Sequence, residues 1–275
     1  MGSLTVRAAI VSVLLLIVSL GAWEIAHHAP TDKAAVTEYE KLMGGATQES
    51  RLPAPSDILA HAGRELSEPF YDRGPNDKGI GLQLMYSVAR VLIGYLLAAL
   101  VAIPVGFVIG MSPLMRKALD PFIQVLKPIS PLAWMPLALF VIKDSGISAV
   151  FVIFICSIWP MMINTAFGVA SVRRDYLNVA RTHELSRLKT AVLVILPAAA
   201  PTIFTGMRIS IGISWLVIVA AEMLVGGTGI GYYVWNEWNN LNLTSVIFAI
   251  LMIGVIGMLL DLALANIAKL VQYAD

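Results

Sequence analysis

Long apolar runs separated by short polar stretches dominate the pattern of this chain. Runs fall at about residues 8–26, 84–111, 118–142, 147–170, 200–224 and 244–268. A bilayer core about 30 Å thick needs roughly 20 mostly apolar residues per helix, and the pattern predicts about six spans. The third is interrupted by Pro121, Pro128, Pro131 and Pro136, which kink or break a helix, so five spans is the alternative count. The first follows Arg7, as a cleavable leader would, but no clean small-residue cleavage site follows Gly21 and a retained span is expected. The chain divides into an N-terminal helix (1–30), a long polar loop (31–82) and a membrane core (83–275) that contains a polar segment at 171–197.

Small residues recur at every fourth position of the second run, at Gly94, Ala98, Ala102, Gly106 and Gly110. Such a stripe lets a second helix approach closely in a solvent that offers no hydrophobic drive. Pro160 in the fourth run is expected to bend it and free a carbonyl for Asn164, Thr165 or another helix. The fifth run carries Thr205, Arg208, Gly212, Trp215 and Glu222 on one helical face. Charges inside a span face protein or water. By depth, Arg208 matches Asp261 of the sixth run, and Glu222 matches Arg90 of the second. Two readings of Arg208 follow, a structural ion pair or a contact with an anion in transit.

Composition agrees with the pattern: 58% of the 275 residues are hydrophobic and 13% charged, against about a quarter charged in soluble domains. The net charge of +1 gives no sign of a nucleic-acid partner, and the single Cys156 excludes an intramolecular disulfide. Lys and Arg gather on one side of a six-span arrangement. Arg7, Arg116, Lys117, Lys269 and a segment holding Arg173, Arg174, Arg181, Arg187 and Lys189 lie there, against Lys143 in the opposite short loops. That side is read as the cytoplasm, with both termini inside and the 31–82 loop outside.

The chemistry of the usual enzyme sites is missing. No P-loop motif is present. His183 and Glu184 are followed at the second zinc-ligand position by Arg187, and His27 and His28 have no third ligand nearby. No catalytic or metal site is therefore expected. Asn242 to Thr244 forms a glycosylation tripeptide close to the membrane.

The polar segment YLNVARTHELSRLKTAVLVILP (176–197) remains. Leu177, Ala180, Leu185, Leu188, Val192 and Ile195 recur at helical spacing opposite the basic residues. Ser186 is placed to cap a second short helix running to Pro197. Two surface helices are predicted, suited to a protein groove rather than to lipid.

This segment resembles the cytoplasmic coupling loop of binding-protein-dependent ABC importer permeases, whose usual form is E-A-A, three residues, Gly, nine residues, then I-x-L-P. Aligned on Leu196 and Pro197, the E-A-A positions are Asn178, Val179 and Ala180, the glycine position is Glu184 and the Ile position Val194. Ala180, Leu196 and Pro197 match strictly. The following PAAAPTIFTGMRISIGISWLVIVAAEMLVGGTGIGYYVWN closely resembles the taurine, sulfonate and nitrate branch, as do LPAPSDIL and LKPISPLAWMPLALF. Within that branch the chain is most similar to nitrate/nitrite permeases of cyanobacterial type.

The resemblance implies an all-α type I ABC importer permease fold, and a transport subunit, not an enzyme, in a bacterial inner membrane. It implies small-anion import by alternating access, of nitrate or nitrite, or else bicarbonate, cyanate or a sulfonate such as taurine. The implied partners are a second permease copy (a homodimer), two cytoplasmic ATP-binding subunits holding ATP and Mg, and an extracytoplasmic binding protein. This chain would hold no cofactor. ATPase coupling would rest on Asn178, Val179, Ala180, Arg181, Thr182, His183, Glu184, Leu185, Ser186, Arg187 and Lys189. Thr205, Arg208, Ser210, Ser214 and Trp215 are pathway candidates, because a planar anion wants donors and positive charge. With Glu184 at the glycine position, the turn is expected to differ in geometry, or to form near His183 and Ser186 without a left-handed residue. A channel or ion-coupled carrier working without an ATPase, or an inert membrane anchor, are the readings from other classes.

Overall fold

In a computed structural model, the structure describes residues 2–28, 52–74 and 77–271, and these are helical except for one small hairpin. Part of the predicted outer loop, residues 31–51 and 75–76, lies outside the described residues. The apolar runs become α1 (Gly2–His28), α3 (Ile80–Met111), α6 (Ser145–Ala170), α9 (Leu196–Val225) and α11 (Leu243–Val271). Each is long and apolar enough to cross a bilayer.

The third run is not one helix. It forms α4 (Pro113–Leu126), a tight turn at Pro131–Trp134 and α5 (Met135–Ile142), and the two halves meet at 83°. Pro128 and Pro131 withhold backbone donors where a straight helix would need them. Helix pairing decides the count of crossings. The glycine stripe of α3 packs on α6, and a side chain at Gly94 would meet Ile153, at Gly106 Met162 and Thr165, and at Gly110 Val169. Both sets of numbers rise together, so α3 and α6 run parallel. The chain between them must return along the bundle, which makes the bent pair α4–α5 one broken crossing.

Helix α9 runs antiparallel to α6 and fills its other side. Gly168 lies against Ala199 and Thr202, and Gly206 against Pro160 and Asn164. A sheath of Ile, Val, Ala and Met from α3, α6 and α9 makes the core, with Val91, Val152, Met161 and Ile218 fully buried. Two side-chain bonds flank the α6 proline. Asn164 donates to the carbonyl of Pro160 itself (2.8 Å), and the carbonyl of Ser157 accepts from Ser210 of α9 (2.9 Å).

Span five begins earlier than its apolar run suggests. From α8 (Arg187–Thr190) the helix continues through a widened turn at Ala191–Ile195 into α9, so that Pro197 does not end it. A turn wound one residue wider absorbs the missing proline donor.

A small cap lies at the end of the bundle opposite the basic segment. It comprises α2 (Pro55–Ser67) and the hairpin of β1 (Asp72–Gly74) with β2 (Asp77–Lys78). Glu24 of α1 accepts from the backbone and hydroxyl of Ser56, and His27 Nδ1 lies 2.9 Å from the carbonyl of Leu52. His61 pairs with Ser245 Oγ (3.1 Å) and stands edge-on to Phe248. Lys78 beside Asp72 holds that carboxyl below its usual range, and burial together with the Glu65 and Asp77 carboxylates pushes the Tyr71 phenol up to about 12. Asn242, in the glycosylation tripeptide, caps α11 by accepting from Ser245 N and donating to Glu237 (2.8 Å).

Candidate functional site

The polar segment between α6 and α9 folds as α7 (Arg174–Thr182), a turn at 183–186, and α8. Its anchor is apolar. Leu177 and Val172 pack on Val169, Ile195, Ala199 and Ile203, and Ala180 is 2% exposed. Leu185 turns partly inward with them, whereas Leu188 and Val192, expected on the same face, are exposed. Asn178, Val179, Arg181, Thr182, His183, Glu184, Ser186, Arg187 and Lys189 all face outward. The segment therefore presents a mixed surface, apolar at Tyr176, Val179 and Leu188 and basic around them, on a base fixed to α6 and α9.

The turn corrects the expectation of one built without a left-handed residue. Glu184 itself is left-handed, with φ of 50°. Its N–H donates to Arg181 O (2.9 Å), and the N–H of Leu185 donates to Ala180 O (3.1 Å). This crossed pair is the helix-ending motif in which glycine is favoured just past the C-cap. The glycine position of the coupling-loop pattern is thus a left-handed helix terminus, and Glu184 adopts it at a cost of about 1–2 kcal/mol. Ser186 Oγ then accepts from Lys189 N (3.4 Å) and starts α8.

A second polar assembly sits at the opposite end. Glu222 of α9 is 2% exposed; its carboxylate accepts from Ser87 Oγ (2.9 and 2.8 Å), Arg90 Nη1 (2.7 Å) and the N–H of Gly231 (3.0 Å). Gln83 accepts from Gly229 N (2.6 Å), Ser87 Oγ from Ile230 N (2.8 Å), and Arg90 also donates to the Thr228 carbonyl. The three N–H groups belong to the first turn of α10 (Ile230–Asn239) and its cap. A helix start buried in protein leaves these donors orphaned unless something accepts from them. Side chains from α3 and α9 do so. Arg90 and Glu222 are one depth-matched pair expected from the sequence, but the cap they build around the glycine-rich 226–231 loop had no signature in spacing.

The other pair is Arg208 with Asp261, joined through two bonds of 3.0 and 2.7 Å between α9 and α11. Both side chains are nearly half exposed, 44% and 47%. Of the remaining pathway candidates, Ser210, Ser214 and Trp215 do not share a surface with them. Ser210 and Ser214 are fully buried between α9 and α6, and their hydroxyls are used on Ser157 O and Ser210 O, with Ser214 Oγ also 2.5 Å from Ser157 Oγ. Trp215 donates to Ile253 O of α11 (2.9 Å) over Gly257. These three hold helices together. Thr205 is exposed, with its hydroxyl donating to Pro201 O (2.9 Å).

A helical bundle with one broken crossing, a buried ion pair and a surface loop braced on two spans defines a multi-pass membrane protein. The family described as binding-protein-dependent transport system inner membrane component matches residues 102–273, and the chain belongs to it. It is 46% identical over 226 residues, 82% of each chain, to the nitrate import permease protein NrtB of Synechocystis sp.. It is 43% identical over 224 residues, 80% of each chain, to the bicarbonate transport system permease protein CmpB of the same organism. The fold is shared with the methionine ABC transporter MetNI in an inward-facing conformation, with a TM-score of 0.61, 13% identity, and coverage of 69% of this chain and 94% of that one.

Proposed function

We propose that this chain is the membrane-spanning subunit of an ATP-driven importer for nitrate, with nitrite as a second substrate. The observation that carries the reading is the 46% identity to a nitrate import permease across 82% of both chains. Two copies would associate in the membrane, two cytoplasmic subunits would bind ATP and Mg, and an extracytoplasmic protein would deliver the anion. The 171–197 segment faces the cytoplasm in this reading, as do both termini, and its exposed surface docks on the ATP-binding subunits. Closure of those subunits would draw the segments together and, through Leu177 and Val172, move α6 and α9. Arg208, on a half-exposed face beside Asp261, is the cation offered to a passing anion.

A second reading, bicarbonate import, is favoured by the 43% identity to CmpB. Uptake of nitrate against bicarbonate by proteoliposomes holding the permease with its partners separates the two. Arg187→Glu, or a bulky residue at Ala180, should insert normally and abolish anion-stimulated ATP hydrolysis. Unchanged stimulation in both variants would refute the docking role.

A further inference from the structure

Helix α4 carries three stripes of different character. Leu119 and Ile123 point inward and pack on the core. Leu114, Phe122 and Val125 make an exposed apolar stripe on one flank. Arg116, Asp120 and Gln124, with Lys127 just past the helix end, follow the spacing of one helical face and make a polar stripe on the other. All four are exposed, and so is Lys117.

The polar stripe edges a groove between α4 and the last three turns of α6. The groove is an open cavity of about 270 Å³ with a chiefly apolar floor, drawn from Ile109 of α3, Ile123 of α4, and Met162 and Phe167 of α6. Arg116 and Lys127 stand at its rim. Among the described residues neither they nor Lys117 form an ion pair. Asp120, the one carboxylate of the stripe, accepts from the Gln124 amide (2.7 Å). The groove lies where α3 and α6 finish, at the end of the bundle that carries the 171–197 segment.

An apolar slot between spans suits hydrocarbon, and unpaired cations at its edge suit an anion. A phospholipid of net negative charge brings both in one molecule, and basic pockets between membrane helices are where such headgroups bind. A second copy of the chain does not complement this groove. Arg173, Arg174, Arg181, Arg187, Lys189 and Lys269 crowd the same end against Asp175 and Glu184, so two copies meeting here would repel.

We infer that the groove between α4 and α6 binds an anionic phospholipid. Its phosphodiester accepts charge-assisted hydrogen bonds from Arg116, Lys127 and Lys117 add attraction along the rim, and an acyl chain lies over Ile123, Met162 and Phe167. The inner leaflet as its source follows from the import reading above, whereas binding itself is tested without transport.

The full-length protein, purified with the subunits that accompany it, is titrated in neutral detergent with phosphatidylglycerol or with phosphatidylcholine of the same chains. Native mass spectrometry counts the bound lipids. Phosphatidylglycerol should bind at least about fivefold more tightly, and Arg116→Gln with Lys127→Gln should reduce that preference by about fivefold for each cation removed. Arg116→Lys with Lys127→Arg should keep it. Arg173→Gln with Arg174→Gln, which removes cations from the same end outside the groove, should also keep it. Ile163→Trp, which narrows the floor with every charge in place, should weaken both lipids. Equal binding of the two lipids, or an unchanged preference in the Arg116 and Lys127 glutamine variant, would overturn the site. An equal loss in the Arg173 and Arg174 variant would reduce it to the general charge of that end. Displacement of phosphatidylglycerol by an equimolar amount of inorganic phosphate would make it a free-anion site and overturn the lipid assignment. Failure of nitrate uptake would sink the import reading and leave these lipid affinities standing.

Discussion

Glu222 of α9 and Arg90 of α3 meet at 2.7 Å in a site where the carboxylate side chain is 2% exposed and the guanidinium 19%. They lie 132 residues apart in sequence. Around them Ser87 and Gln83 complete the cap of α10, so that one carboxylate joins three helices.

Removing one partner should cost far more than removing both. Glu222→Ala leaves Arg90 buried without a counter-charge and α10 without its cap, with an expected loss of about 3–5 kcal/mol. Arg90→Met combined with Glu222→Met should recover part of it. Thermal unfolding of the purified permease in detergent measures both, and equal losses would contradict a buried pair.

The same assembly limits its glycines. A side chain at Gly231 would fall on the carbonyl of Val219, and one at Gly229 on the Glu222 carboxylate. Gly229 also has φ of 149°. Gly231→Ala should destabilise by about 1–3 kcal/mol through overpacking against backbone. Gly212→Ala, with open space at that position, serves as the neutral control in the same melting experiment.

Glu184 sits left-handed where no interaction in the turn requires its side chain. Glu184→Gly should stabilise the α7 terminus by about 1 kcal/mol, and Glu184→Val should weaken it. Amide hydrogen exchange at Leu185 and Glu184 reads the change directly. Slower exchange in the valine variant would disprove the strain.

Arg208 and Asp261 make a two-bonded pair on a half-exposed face. In detergent each single neutralisation should leave the melting temperature nearly unchanged, as the loss of an exposed pair does. In a bilayer each should lower the yield of inserted protein. Exchanging the two residues should restore insertion if the pair is structural, while transport returns only if the guanidinium serves no anion from its original position. Insertion yield and uptake are measured on the same vesicles.

Much of the fold was legible in advance because bilayer thickness imposes a length on every apolar run. The helices α3, α6, α9 and α11 follow those runs within a few residues, and depth matching found both ion-pair partners. The small-residue stripe announced a close contact without naming α6. The direction of a hydroxyl was not readable, so Ser210 and Ser214 passed for pathway residues although their donors are spent inside the bundle. Left-handed Glu184 was hidden because its side chain argues against the conformation that the crossed hydrogen bonds impose.

The sequence by itself determined that the chain lives in a membrane, where its spans lie and which segment carries a basic surface. Those follow from local hydropathy and from charge along the chain. Only the tertiary structure decided that α3 and α6 run parallel, which makes the proline-broken segment one crossing. It also decided that Glu222 of α9 joins Ser87 and Arg90 of α3 around the start of α10. Each depends on which faces meet, and that is settled by packing between residues far apart in sequence.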